Sequence, residues 1–469
     1  MRTRMRVVLV VVVFVGAIVA DALRPPAPAM SHGVVSATTG GVLACPNALP
    51  SRGTAYIHVA NAGTRTADVR VTLVPKVGKP VVIPFAIGPA KARALRISGR
   101  VKAPAAAVLE YSGSDITAAH SMWMPKVGGR GGGAGALCER PTAGEIVVSS
   151  LRTFGATASV SVFNPGSASA DISVSLLADG HRLEPQRLSR RVVPARSRLD
   201  LAVGDFAFDA RAVTAVITAR AGRVVAEGIV SSGRGLEILS GRPPERSGVV
   251  IAARSGLGVA ATVSPVGVED SAVAIRVVDG THQGVLPGAP STLRAGTSRR
   301  IAIPESAKSR AAALVIDVGM GSPVAAGVSW DRAGSPSDEV ASPLVAAGRR
   351  WRGVAGSPYP KTLIQAFVIN ASDEPADVRI DLFGTRTGSV LRRVAPGRLL
   401  VLTLSNAAAT LGIDVSSDQP VAVVLQVAAR ATDGSALAYG IPASPVRTAR
   451  PVAVTTDPRV GIPARVPAV

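Results

Sequence analysis

A thirteen-residue pattern recurs along the chain at one spacing, and that recurrence limits the fold more than any other feature. It reads N-A-G-T-R-T-A-D-V-R-V-T-L from Asn61, N-P-G-S-A-S-A-D-I-S-V-S-L from Asn164 and N-A-S-D-E-P-A-D-V-R-I-D-L from Asn370. The second copy follows the first by 103 residues, and the third follows the second by 206, two periods on. A period of 103 predicts a further copy at residue 267, where the chain reads G-V-E-D-S-A-V-A-I-R-V with Ile275 and Val277 in the two β-branched slots. Asn and Asp are missing there, so this copy is degenerate. The spacing still argues for four units.

The pattern has the physics of a turn between two strands. Apolar stretches precede each Asn, as in Tyr56-Ile57-His58-Val59 and Phe367-Val368-Ile369, and period-2 alternation follows, with Val69, Val71 and Leu73 inward and Arg70 and Thr72 outward. Asn with Gly, Pro or Ser supplies the turn. Each unit then shows a Pro/Gly turn before another alternating strand, and closes on a small apolar strand such as Val224-Val225-Ala226-Glu227 or Pro420-Val421-Ala422-Val423. Apolar residues make up 47% of the chain but aromatics only 3%, and 48 Gly with 35 Pro interrupt it too often for long helices. Small β-branched side chains suit pleated sheets. The expected fold is therefore all-β, four tandem Ig-like β-sandwich repeats of about 100 residues. A β-propeller is the alternative, although the period is about twice the usual blade.

The expected domains are a signal peptide or membrane anchor over 1–30, sandwich repeats over 31–140, 141–243, 244–345 (degenerate) and 346–446, and a basic Pro-rich tail over 447–469. The glycine run 128–135, Pro243-Pro244 and the stretch 334–342 read as linkers. Arg2, Arg4 and Arg6 precede an uncharged apolar run over 7–20. That run is short for a membrane span and normal for the core of a signal peptide, with Ala20-Asp21-Ala22 as a cleavage site. Export follows from either outcome, cleavage or retention as an anchor. In an exported chain the two cysteines, Cys45 and Cys138, most simply form one disulfide. They flank the first repeat, and closing a loop of ~90 residues is worth ~4–5 kcal/mol in the chain-entropy model.

The strand, N-P-G, three residues, A-D-V-x-V-x-L pattern resembles secreted actinobacterial proteins grouped only as a domain of unknown function. The anchor-like N-terminus, the Cys45-Pro46 pair and the terminal P-V-A-A strand resemble them too. The resemblance covers most of residues 30–450. It implies a secreted or anchored Ig-like module and brings no catalytic or ligand residue.

The net charge is +21, supplied mostly by Arg dispersed along the chain. Nucleic-acid binding needs a basic stripe interleaved with stacking aromatics, which the sequence does not display. General attraction to an anionic surface is the better reading. Five histidines, His32, His58, His120, His181 and His282, are scattered, with no HExxH pair and no CxxC, so neither a zinc site nor a redox motif is expected. No GxSxG elbow is present. Asp68, Asp171 and Asp377 recur seven residues after each Asn; calcium binding across the turn is one reading and local capping of the turn's N–H groups the simpler one. Trp123, Trp330 and Trp351 are the candidates for an exposed sugar platform, against plugging of unit boundaries.

These readings give no catalytic, cofactor or metal residue. They point to a non-catalytic extracytoplasmic envelope protein acting as a scaffold or interaction surface. The alternative is an envelope polysaccharide-binding or assembly accessory protein, and third comes a glycoside-active enzyme with paired carboxylates on distant loops. The expected partner is an envelope polymer or another envelope protein, not nucleic acid, with the membrane touched only through the N-terminal segment. Rod and ring arrangements of the repeats are both open.

Overall fold

The computed structural model describes residues 40–446 apart from 103, 128–129, 233–234, 253–258, 282, 304–310, 331–342, 358, 360, 408 and 431–435, with Thr455–Thr456 and Pro463–Ala464 beyond. The expected signal or anchor segment, most of the tail and the 334–342 linker lie outside the described residues. By its contacts the chain divides into Met1–Thr38, none of it described, and Thr39–Val469.

The first repeat sets the pattern for the others. Its strands are β1 (Gly40–Leu49), β2 (Thr54–Asn61), β3 (Ala67–Pro75), β4 (Val81–Ile87), β5 (Lys91–Arg96), β6 (Ala105–Ser112), β7 (Ile116–Val127) and β8 (Arg130–Leu137). One sheet runs β1-β6-β3-β4 and the other β5-β2-β7-β8, all antiparallel within the repeat. Alternation puts Ala67, Val69, Val71 and Leu73 of β3 in the core and leaves Asp68 and Arg70 exposed. Burying each such Val or Leu stabilises the fold by roughly 1.5–3 kcal/mol.

The same two-sheet order recurs three times. In the second repeat the strands from Thr142–Leu151 to Gly235–Ser240 repeat it, and in the fourth those from Gly348–Ser357 to Ala436–Pro442. In both, the sixth and seventh strands run on as one bent strand, Val213–Ser232 and Ala409–Arg430, that enters both sheets. The third repeat, Ser247–Ala252 to Val324–Trp330, shows seven of the eight positions among the described residues. The protein is all-β, and each unit is a two-sheet sandwich rather than a single-sheet blade.

Two expectations need correction. The glycine run is not a linker: from Arg130 it is β8, paired antiparallel to β7 from Ala119↔Leu137 onward. The degenerate motif also sits two residues earlier than the period implies. The strand Val259–Pro265 takes the place of β2, so Pro265 stands where the other repeats have Asn, and Val273 and Ile275 fill the core slots. Without an amide side chain, this turn is rebuilt on Ser322, whose Oγ accepts from the Glu269 N–H at 3.1 Å and whose carbonyl accepts from the Ser271 hydroxyl at 2.6 Å.

The arrangement of repeats is a closed ring. The β1-β6-β3-β4 sheet of each repeat packs on the β5-β2-β7-β8 sheet of the next. Ala44, Val74, Ala106 and Val108 of the first repeat meet Phe163 and Val225 of the second. Val147, Leu177 and Val216 of the second meet Val266 and Ala325 of the third. Val249, Ile251, Ala313 and Val315 of the third join the core of the fourth, and so do Ala60, Ala119, Trp123 and Leu137 of the first. Backbone pairing closes the circle, with Ala436 and Leu437 parallel to Gly132 and Gly133 of β8.

The motif asparagines are fully buried. Asn61 Nδ2 donates to the Arg65 and Ile87 carbonyls at 2.7 and 2.9 Å while its Oδ1 accepts from the Gly63 N–H at 2.9 Å. Asn164 and Asn370 make the same bonds, to Ala168 and Val193 and to Glu374 and Val394. Each Asn thus ties its own turn to the end of the fourth strand. Asn164→Ala leaves the buried Val193 carbonyl without this partner, at about 1–3 kcal/mol, and removes the half-buried bonds to the Ala168 carbonyl and the Gly166 N–H, at about 0.5–1.5 kcal/mol each. The expected outcome is a loss of several kcal/mol in denaturant unfolding. An exposed control, Thr157→Ala, stays within about 0.5 kcal/mol of the parent.

Candidate functional site

The ionisable groups with the most unusual surroundings lie where the first repeat meets its neighbours. β7 carries His120 and Ser121, and β2 carries His58. On one side His120 Nε2 lies 3.0 Å from Glu227 Oε1 of the second repeat, both side chains having no exposure. The other Glu227 oxygen accepts from the Asn47 backbone N–H at 3.0 Å, two residues beyond Cys45. The Ser161 hydroxyl lies 2.9 Å from Asn47 Oδ1 and 2.8 Å from Asp200 Oδ1, and Arg198 donates to the Pro46 carbonyl at 3.0 Å. Burial alone would raise the Asp200 carboxyl, but Arg198, the Ser161 hydrogen bond and Lys76 bring it below the usual carboxylate range.

On the other side His58 lies between the first and fourth repeats. Its Nε2 is 2.9 Å from Ser121 Oγ, and its Nδ1 is 3.4 Å from Thr410 Oγ1. Gly356 makes this approach feasible, because a Cβ there would lie 2.6 Å from His58 Nδ1. Arg352 of the fourth repeat pairs with Asp115 of the first at 2.7 Å. The Cys45–Cys138 disulfide forms as expected, across 93 residues with the Cα atoms 4.6 Å apart. It ties β1 to the residue after β8, beside the Asn47–Glu227 contact.

This geometry joins repeats; it does not present groups to solvent. The sequence signal that was missed is Glu227, a single carboxylate inside the apolar run Val224 to Val230. Such a residue requires a buried partner. Hydroxyls do the same work between the second and third repeats, where Thr214 Oγ1 lies 2.8 Å from Ser264 Oγ, and the Ser298 hydroxyl donates to the Leu177 carbonyl.

Trp123 is 8% exposed and Trp351 1% exposed, so neither forms the exposed platform considered from sequence. Trp123 packs edge-on to Tyr359 of the fourth repeat with centroids 5.9 Å apart. Trp351 lies within the strand Gly348–Ser357, and its Nε1 donates to the Val421 carbonyl at 2.8 Å. The backbone of Trp330 pairs with Val259; its side chain lies outside the described residues. Asp68 and Asp377 point outward from their strands and Asp171 pairs with Arg190, so Asn rather than Asp caps the turn. Among the described residues no three His, Cys, Asp or Glu side chains gather as a metal site. A cavity of about 190 Å³ between the third and fourth repeats is lined by Ser247, Arg276, Asp317 and Ser372. Its polar groups are already engaged, Arg276 and Ser247 with Asp317 and Ser372 with Asn370.

Burial, with His120 adding to it, holds the His58 imidazole down at about 3. Its folded value lies below the unfolded one, near 6.5, so the folded state binds fewer protons in between. Stability from this group is therefore complete above pH 6.5 and is lost as pH falls towards 3. Each pH unit in that window removes about 1.4 kcal/mol. Denaturant titrations at pH 6, 5 and 4 should approach this slope, and His58→Gln should flatten it.

No curated protein matches the sequence. Among solved structures, one from Thermotoga maritima, numbered 1070, is 19% identical, covers 21% of this chain and 95% of its own, and has a TM-score of 0.19. A tetra-tandem repeat from the extending region of a large adhesion protein is 10% identical over 86% of this chain and 98% of its own, with a TM-score of 0.10. A Ca²⁺-stabilised adhesin that helps an Antarctic bacterium reach out and bind ice is 13% identical over 87% of this chain and 99% of its own, with a TM-score of 0.12. At these TM-scores the likenesses carry no argument about fold or function. A family model matches residues 102–395, more than half of the chain, and the protein belongs to that family of unknown function, DUF5719.

Proposed function

We propose that the protein is a non-catalytic, extracytoplasmic component of the cell envelope whose ring of sandwiches serves as a scaffold or interaction surface. The observation that carries this reading is the use made of its reactive groups. His58, His120 and Glu227 have no solvent exposure and are spent on joining neighbouring repeats. Catalysis needs such groups within reach of a substrate. The disulfide supports the location, since such bonds persist in oxidising compartments. The cationic n-region and apolar run over 7–20 support export, with the segment either cleaved or kept as an anchor. The motif resemblance to secreted actinobacterial proteins agrees with it. No described helix is long and apolar enough to cross a membrane.

The partner in this reading is an envelope polymer or another envelope protein. Thiol alkylation of the denatured, unreduced chain taken directly from cells tests the location. No labelling of Cys45 and Cys138 is expected; labelling of both places the chain in a reducing compartment and overturns the reading. Pull-down of the purified chain against peptidoglycan, wall polysaccharide and envelope protein fractions then tests the scaffold role, with retention of at least one fraction at physiological salt expected.

A further inference from the structure

The charge that looks dispersed in sequence falls on one structural position. From the end of the third strand to the end of the fifth, the four repeats span 76–96, 179–202, 280–302 and 385–405. These segments, under a fifth of the chain, hold 18 of its 52 basic residues and three of its 31 acidic residues, and so account for +15 of the net +21. The fourth and fifth strands are the edges of their two sheets, opposite the first and eighth. Because every junction joins the same two sheets in the same sense, these edges are equivalent around the ring. They also lie on the side away from the eighth strands. Where described, those strands pack towards one another: β8 pairs with Ala436–Pro442, and Leu236 and Ile238 of the second repeat's last strand enter the first repeat's core.

Much of this charge is uncompensated. Lys79, Lys91, Arg96, Arg392 and Arg393 are exposed and bear no ion pair with a described residue. Arg93 lies over the Phe85 ring at 5.0 Å and Arg187 over Phe206 at 4.3 Å. Stacking holds a guanidinium flat and leaves its N–H edge for an oxyanion. On each fourth-strand edge one large apolar side chain is also exposed: Val82 at 52%, Val192 at 60%, Val285 at 79% and Leu391 at 66%. A bare basic patch needs no such residue; a ligand with carbon faces between its charges does.

We infer that these four edges form a basic band round the ring that binds a linear anionic glycan of the envelope, one bearing repeated phosphate or carboxylate groups. Guanidinium edges take the oxyanions in bidentate fashion, and the exposed Val and Leu side chains meet the carbon faces of the sugars. The distribution favours a flexible polymer over a bilayer, since a planar surface reaches the edges of one or two repeats while a polymer reaches several. Several weak contacts along one chain raise affinity by about 10²–10⁴-fold over a single contact. The inference names the partner of the proposed scaffold and rests on that reading.

The test uses the full chain with two variants of equal charge change. One carries Lys91→Glu, Arg96→Glu, Arg392→Glu and Arg393→Glu on the band; the other carries Arg52→Glu, Arg65→Glu, Arg220→Glu and Arg223→Glu off it. Both must retain the parent's thermal transition, and any pair that does not is replaced by single substitutions from the same set. The probes are a glycerol-phosphate polymer, polygalacturonate, short oligomers of each, neutral dextran, and phosphatidylglycerol vesicles at about 0.15 M and 0.5 M salt. The expected result is binding of at least one long anionic polymer, about 10²-fold tighter than its oligomer. The band variant weakens it at least tenfold and the control less than threefold. Binding of the glycerol-phosphate polymer alone, of polygalacturonate alone or of both identifies the charged group. Equal loss in the two variants, equal affinity for oligomer and polymer, or stronger binding to vesicles than to either polymer overturns the inference. These measurements do not depend on where the chain resides, so their failure leaves the thiol-labelling result untouched, and the converse also holds.

Discussion

A sheet with two apolar faces cannot be satisfied by one sandwich, and the whole architecture follows from that. In the first repeat, Leu43 and Leu109 point into its own core while Ala44 and Val108, their chain neighbours, point the other way and are equally buried. The second face needs a partner sheet. Each repeat supplies one to the repeat before it, and the same junction repeated four times returns to its start. Head-to-tail contacts either close or run on into a fibre; here the closing step adds a parallel backbone pairing that no other junction shows among the described residues. The small side chains that dominate the composition make this possible, since Ala and Val faces let two sheets approach closely.

Closed packing of this kind has little tolerance for polar groups, yet the junctions contain them. His120 with Glu227, His58 with Ser121 and Thr410, and Thr214 with Ser264 are each paired across or beside a boundary. Removing one partner of such a pair costs more than the pair itself contributes. Their effect is therefore to fix which sheet meets which, because any other alignment of apolar faces would leave a buried polar group alone. The disulfide acts at the same place, holding β1 and the end of β8 together where the Asn47–Glu227 contact begins.

Local chemistry was legible in the sequence, and relations between repeats were not. The Asn turn, the alternation in β3 and the pairing of the two cysteines are set within one repeat by residue type and spacing. The third repeat's register escaped because Pro265 has no amide to mark the turn, and Ser322, far along the chain, took over its hydrogen bonds. The glycine run looked like a linker because glycine has no side chain to alternate. Its strand character comes from neighbours on both sides, β7 and the last strand of the fourth repeat. Trp351 looked available because only tertiary packing shows that Val421 accepts its N–H.

The same distinction explains why the charge looked dispersed. Counted along the chain, arginine and lysine occur in every repeat and suggest compositional bias. Counted by strand position, they are enriched on the fourth and fifth strands and the turns beside them, along one edge of each sheet. Part of that protects the edges, since charged side chains on an exposed edge, with Pro84 in β4, oppose pairing with another sheet. Edge protection requires a charge of either sign, however, and mixed signs would serve solubility equally well. Three acidic residues against eighteen basic ones in the edge segments is a bias of sign. Blocking edge pairing does not account for sign; attraction to an anion does.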